Sequence, residues 1–251
     1  MSVSLFVGLT FLTLDHLQHE REVSEVSVVQ GIREQVVLSP DEVTVRIPEP
    51  DKNLTRQIDF SELSAINSDV LSWIYMPDTN VDYYVMQEPA GMPDGEYKYI
   101  WRDIYGEENS WGSIFTPYIP GGEGADAHLI LFGHRMRDRT LGFSNLREFL
   151  DADYMASHPY VYLYYPEYSQ RWRVWTACNP DFTDDIYRIV PRYELGSAEY
   201  GELLLHIEED LAEVTDGERP DVNTPILVLS TCYQDDTRMC VICALDKTYE
   251  Y

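Results

Sequence analysis

"ILVLSTCYQDDTRMCVICAL", residues 226–245, decides the fold. Two short apolar runs flank a polar stretch. Runs of this length, rich in β-branched residues and bounded by polar turns, read as buried strands. Only Tyr233–Thr237 lie between Cys232 and Arg238. So short a link predicts antiparallel neighbours, with Arg238 beside Cys232. The polar residues gathered at this turn (Ser230, Thr231, Cys232, Asp235, Asp236, Arg238) pose the functional question. Cys232 is either a packed thiol at a strand end or a nucleophile.

The same stretch contains a CxxC, Cys240 and Cys243. On a strand, positions i and i+3 point to opposite faces. A zinc or redox pair needs both sulfurs on one side. No second CxxC completes a metal site, so the pair reads as core. Alternation places Cys240 on the Arg238 face, where it would line the same cleft as a second thiol. Cys178, in "VWTACNP", reads as a core thiol.

Working outward, many short strands carry a few inserted helices. "HLILFGH" (128–134) is a strand leading into a turn at Gly133. "YVYLYYPEYSQRWRVWTACNP" (160–180) is a hairpin. "SAEYGELLLHIEEDLAEV" (197–214) is an amphipathic helix, and "LGFSNLREFLDADYMASHP" (141–159) is helical up to Pro159. A short helix from about Ser61 leads into a strand at Trp73–Tyr75. Residues 15–36 read as a helix, and 39–53, with three prolines, as a linker or edge segment. The pattern predicts a mainly β chain: a β-barrel with peripheral helices, an N-terminal helix, and a helix in the loop before the Cys232 strand.

Charge removes some function classes. Asp and Glu number 44 against 18 Lys and Arg, a net charge of −26, so the surface repels nucleic-acid phosphates. The same charge keeps the chain soluble and favours a monomer. Leu5–Leu14 is apolar but too short to span a bilayer, which takes about 20 residues. Residues 1–14 are therefore either a core helix or the remnant of a membrane anchor.

A thiol nucleophile needs a proton partner and a group that stabilises the oxyanion. His134 follows an apolar strand through Gly133, and Arg238 opens the last strand. Strand ends project side chains into clefts from a rigid base. The other histidines, His16, His19, His128, His158 and His206, lie in helices, at a helix end or at a strand entrance. Taken singly, each of the three residues also reads as packing or as a solvated charge.

Together the elements resemble the sortases, cysteine transpeptidases of Gram-positive bacterial surfaces, most nearly class B. The resemblance rests on "LSTC" (229–232) with Arg238, on "FGHRM" (132–136) followed by "RTLGFSNLREFL" and "HPYVYLYYPE", and on "FSELSAINSDVLSWIYMPDTNVDYYVMQ" (60–87) and "WGSIFTPY" (111–118). The elements run in the family's order over about residues 60–248. The helix-bearing insertion before the Cys232 strand favours class B.

The resemblance implies an eight-stranded β-barrel forming a sortase catalytic domain over 60–251, preceded by a helix and linker over 15–59 and the candidate anchor remnant over 1–14. Its catalytic residues would be Cys232, His134 and Arg238, with Thr231 and Ser230 beside the oxyanion. It implies no cofactor and no metal. The partners would be the sorting-signal peptide of secreted proteins, cleaved after Thr through a thioacyl-enzyme, and an amine from a peptidoglycan precursor or a pilin. The location would be the extracellular face of the membrane, anchored through the N-terminus. The loop between Cys232 and Arg238 is shorter than the family's, and a tighter loop would slide Arg238 along its strand. Asp235 and Asp236 would disfavour a thiolate, against Arg238, Arg135, Arg137 and Arg139. The same residues also suit a Cys–His hydrolase without transfer. A non-catalytic surface-binding domain on a sortase-like scaffold is the third reading.

Overall fold

The computed structural model describes residues 26–38, 51–92, 96–118, 127–135, 142–189, 192–234 and 237–251, with residues 232–234 and 237 described by backbone alone. Residues 26–36 form helix α1. Then come α2 (Phe60–Ile66), β1 (Val70–Tyr75), β2 (Asp82–Gln87), β3 (Ile114–Thr116) and β4 (His128–Phe132). After these are α3 (Ala152–Ser157), β5 (Tyr160–Tyr164), β6 (Tyr168–Cys178), α4 (Ala198–His206), β7 (Ala212–Thr215), β8 (Ile226–Gln234) and β9 (Thr237–Glu250).

The strands form one sheet in the order β5-β1-β2-β3-β4-β8-β9-β6-β7, and β5 also pairs with β6. That pairing closes eight strands into a barrel. β6 serves both edges because it is long: Ser169–Arg173 pair with β5 and Thr176–Cys178 with β7.

The central strands are apolar on both faces because both are covered. Leu129, Leu131, Leu227, Leu229, Met239 and Val241 fill the barrel interior. The alternate residues Ile130, Val228, Cys240 and Ile242 face outward beneath Tyr200, Leu203, Leu204 and Ile207 of the insertion. Each large side chain so buried contributes about 1.5–3 kcal/mol. α1 and α2 seal a third cluster through Ile32, Val36, Phe60 and Leu63 against Trp73, Tyr84 and Tyr99.

The expected CxxC geometry holds: Cys240 and Cys243 belong to opposite faces. The helix read over 197–214 is shorter. α4 ends at His206, a π-helical turn spans Ile207–Leu211, and Ala212–Thr215 become β7 because the end of β6 offers an unpaired edge. The helix read over 141–159 is two pieces, a 3-10 turn at Leu146–Leu150 and then α3. The break is Asp151, which turns extended and caps α3 by accepting a bond from Tyr154 N.

One expectation is corrected. Anchorage at the membrane through the N-terminus is not supported, since no helix among the described residues is long and apolar enough to cross a bilayer. Residues 1–14, on which that reading fell, lie outside the described residues, as do most of the 39–53 segment, Arg137, Arg139 and the Asp235–Asp236 pair.

Candidate active site

β4 and β8 run parallel, and their register ends at Phe132 opposite Ser230. Gly133 N donates to Ser230 O at 3.1 Å, continuing the ladder by one step. His134 and Cys232 each stand two residues beyond that last pair, so the register carries both positions to the same end of the sheet. On the other side of β8, Cys232 pairs directly with Arg238. The tight loop has not displaced Arg238. A bulge between Cys232 and Gln234 absorbs the mismatch at the turn. Position 134, far off in sequence, thus meets positions 232 and 238 at adjacent strand ends.

The chain around His134 is shaped by two glycines. A Cβ on Gly133 would lie 2.8 Å from the Phe143 ring. Gly142 has φ +61°, and a Cβ there would lie 2.6 Å from the His134 carbonyl oxygen. That carbonyl accepts a bond from Phe143 N, pinning the turn. Gly142 is itself held by the Tyr83 hydroxyl at its N–H and by Asn80 at its carbonyl.

His134 is half-buried. Its Nε2 lies 2.9 Å from the carbonyl oxygen of Ile100, and its ring packs against Trp101 with centroids 5.2 Å apart. Because a carbonyl can only accept, Nε2 carries the hydrogen, and a neutral ring has its lone pair on Nδ1. Burial pushes the ring's pKa below the ordinary histidine value. The Ile100 bond opposes this shift, and the charge of Arg238 adds to it. His134 is therefore a neutral, base-competent imidazole near pH 7, electrostatically coupled to Arg238. Arg238 is half-buried, with its N–H bonded to Pro180 O, which ties β9 to the start of the insertion.

Ser230 and Thr231 do not open into the site through their side chains. Ser230 is fully buried, its Oγ 3.2 Å from the Tyr187 hydroxyl. Thr231 is 3% exposed, and its Oγ1 has no partner among the described residues. Only their backbone can serve an oxyanion.

Cys240 does not line the cleft. It is sealed beneath Tyr187, whose hydroxyl lies 3.0 Å from the sulfur, and opposite Cys178. A hydrogen bond with Cys240, together with burial, pushes the Cys178 thiol well above its ordinary range, while burial of Cys240 is outweighed by its bonds with Cys178, Tyr187 and Ser230, which bring its thiol below; both sulfurs are fully buried, so neither is an accessible nucleophile.

A cleft of about 890 Å³ among the described residues opens beside His134. Its walls include Trp101, Trp111 and Tyr84, with Asp103, Glu107 and Glu108 at its rim. Sequence reading missed this wall and the Ile100 carbonyl. A backbone acceptor leaves no residue-type signal, and the 97–113 loop is irregular, held by scattered bonds such as Asn109 N to Trp101 O.

Known proteins bear on this arrangement. No protein-family model matches the chain. Sortase B of Listeria monocytogenes is 33% identical over 101 residues, which is 40% of this chain and 39% of that protein. A solved Bacillus anthracis protein described as similar to sortase B is 28% identical with a TM-score of 0.66, covering 90% of this chain and 95% of its own. The B. anthracis sortase B in complex with AAEK1 has a TM-score of 0.70 at 24% identity, covering 92% and 99%.

The findings support a class B sortase assignment. The fold is the class B sortase barrel along nearly its whole length. The sequence match spans about two fifths of the length of the curated relatives.

Proposed function

We propose that residues 60–251 form the catalytic domain of a sortase-type cysteine transpeptidase. The observation that carries this is the register that brings positions 134, 232 and 238 to one end of the sheet. In the proposed cycle Cys232 attacks the Thr carbonyl, at the peptide bond that follows Thr, in a C-terminal sorting peptide of a secreted protein. His134 takes the Cys232 thiol proton and passes it to the leaving amine, and a thioacyl-enzyme remains. A second amine, from a peptidoglycan precursor or a pilin lysine, then attacks with His134 as base. The Arg238 guanidinium and the backbone beside Thr231 stabilise each oxyanion. The insertion, whose Tyr187 stacks on Phe132 with centroids 6.2 Å apart, would form one wall of the peptide groove. Two solved relatives support the two substrate classes: a Staphylococcus aureus sortase B–substrate complex and a sortase B complexed with triglycine.

The test is a panel of sorting-type pentapeptides, with intact-mass detection of a thioacyl adduct mapped to Cys232. Adding an amine should convert the adduct to ligated product. An adduct that survives Cys232→Ala, or that maps to Cys178, would sink the assignment. An adduct released only as free acid would make the protein a hydrolase.

A further inference from the structure

We propose that Glu88 is a positioning residue for His134. Through the backbone of Lys98 and Tyr99 it fixes the Ile100 carbonyl, and that carbonyl fixes which imidazole nitrogen carries the hydrogen. The kinetic consequence rests on the transpeptidase reading above; the effect on the ring does not. The Ile100 carbonyl sits in an irregular loop, where no helix or sheet ladder sets its direction. Its direction therefore depends on individual anchors.

Glu88 directly follows β2 and is 2% exposed. Its own N–H bonds Thr116 O on β3 at 2.9 Å, so its base is rigid. One carboxylate oxygen accepts from Lys98 N at 2.9 Å and the other from Tyr99 N at 2.8 Å. A buried carboxylate is costly, and two charge-assisted bonds offset that cost. Burial raises the Glu88 pKa, and the two amides and the Lys98 charge pull it back. Tyr99 is held at its other end as well, its carbonyl accepting from Ser113 N at 2.9 Å. The next carbonyl along the chain is that of Ile100. Gly112 stands on its far side with φ +57°, and a Cβ there would collide with the Tyr99 and Ile100 carbonyl oxygens. Glu88 thus pins the segment from one side, and a missing side chain leaves room for it on the other.

The consequence falls on the ring. With Ile100 O at 2.9 Å the hydrogen stays on Nε2, and Nδ1 keeps its lone pair as the base. A carbonyl turned away lets the hydrogen move to Nδ1 and lets the ring swing, and then the base is neither at the right atom nor at the right angle.

Imidazole ¹⁵N NMR, at a pH where His134 is neutral, reads the tautomer without substrate. The unmodified protein should show Nε2 protonated and Nδ1 bare. Glu88→Gln puts an NH₂ donor against one of the two amides, and Gly112→Ala pushes on the carbonyl from the other side. In each, the ratio of Nε2–H to Nδ1–H should fall about three- to tenfold, the worth of one hydrogen bond. The kcat should fall at least about tenfold with KM within about threefold. Glu88→Asp, still charged but one methylene short, should give a smaller change of the same sign and serves if the other two do not fold. Asp69→Asn frees the Lys98 and Tyr99 side chains on the same loop but leaves their amides bonded, and it should keep the tautomer. A bare Nε2 in the unmodified protein, a tautomer unmoved in the folded variants, or an equal shift in Asp69→Asn overturns the positioning role. The expected tautomers without any thioacyl adduct in the unmodified protein would leave that role in place and overturn the transpeptidase reading.

Discussion

The two ends of β4 carry a histidine each, His128 and His134, and the pair separates what makes a buried imidazole from what makes a site. Both rings are held by a backbone carbonyl, Ile186 for one and Ile100 for the other. Both have pKa values lowered by burial, and both feel an arginine, Arg188 or Arg238. His128 is half-buried as His134 is, but it has Tyr193 edge-on at 5.6 Å and borders a pocket of only about 30 Å³. His134 borders a large cleft and stands at the register position of Cys232. Burial, a carbonyl and a cation are therefore common property of this strand. Access and a neighbouring thiol position distinguish one end.

The sharpest way to break the comparison is to exchange the two ends' roles by mutation. Cys232→Ala should abolish thioacyl formation, and His134→Ala should reduce peptide turnover by roughly 10²–10⁴-fold. His128→Gln should leave turnover within about threefold at neutral pH. Turnover assays on folded protein, checked by circular dichroism, measure all three. If His128→Gln were as inactive as His134→Ala, the distinction drawn from access would fail.

Arg238 comes next in size. Arg238→Gln should cost about 10²-fold in turnover if it stabilises the oxyanion. It should also raise the His134 pKa, because its positive charge now pushes that pKa down. An NMR titration of the imidazole Cε1–H reads this shift without any substrate. A His134 pKa that stayed put or fell would contradict the coupling.

How much of this was legible beforehand follows from the same comparison. "LILF" before Gly133 and "ILVL" before Ser230 announced two buried strands. The short link to Arg238 announced an antiparallel third, and the structure has all of them. The parallel contact of β4 with β8 was not readable, because about ninety residues separate the strands and no local rule pairs them. β7 was missed because "AEVT" continues an amphipathic pattern, and only the free edge of β6 recruits it. The burial of Cys240 depends on the Tyr187 ring folding over β9 from an insertion whose path the sequence does not encode locally.

His128 gives the third prediction, in stability. Its pKa falls from 6.5 to about 4 on folding. The unfolded chain therefore takes up a proton at pH 6.5 that the folded chain refuses until about pH 4. Stability is retained above the unfolded value and lost as the pH falls between the two, by about 3 kcal/mol at most. Urea midpoints from pH 7 to 4 should show this slope in the unmodified protein and a shallower one in His128→Gln. Parallel curves would mean that the ring is protonated in place.

The smallest effect brings in a third histidine of opposite sign, on the same turn. His206, at the end of α4, bonds Asp210 and Asp184 at 2.9 Å each, and these bonds raise its pKa. A raised value means that the stabilising contact is complete below the unfolded pKa of 6.5 and fades as the pH climbs through the folded one. Asp184 begins the turn whose Ile186 carbonyl holds His128. One histidine therefore releases this turn in acid and the other releases it in base. The amides of Tyr187 and Arg188, bonded to Asp184 O and Asp185 O, report on it directly. Their hydrogen-exchange protection, corrected for intrinsic rates, should peak just above pH 6.5. His206→Gln should remove the alkaline fall by a few tenths of a kcal/mol, the ring being partly solvated. Protection that rose steadily with pH in the unmodified protein would leave His128 as the only titrating hold on the insertion.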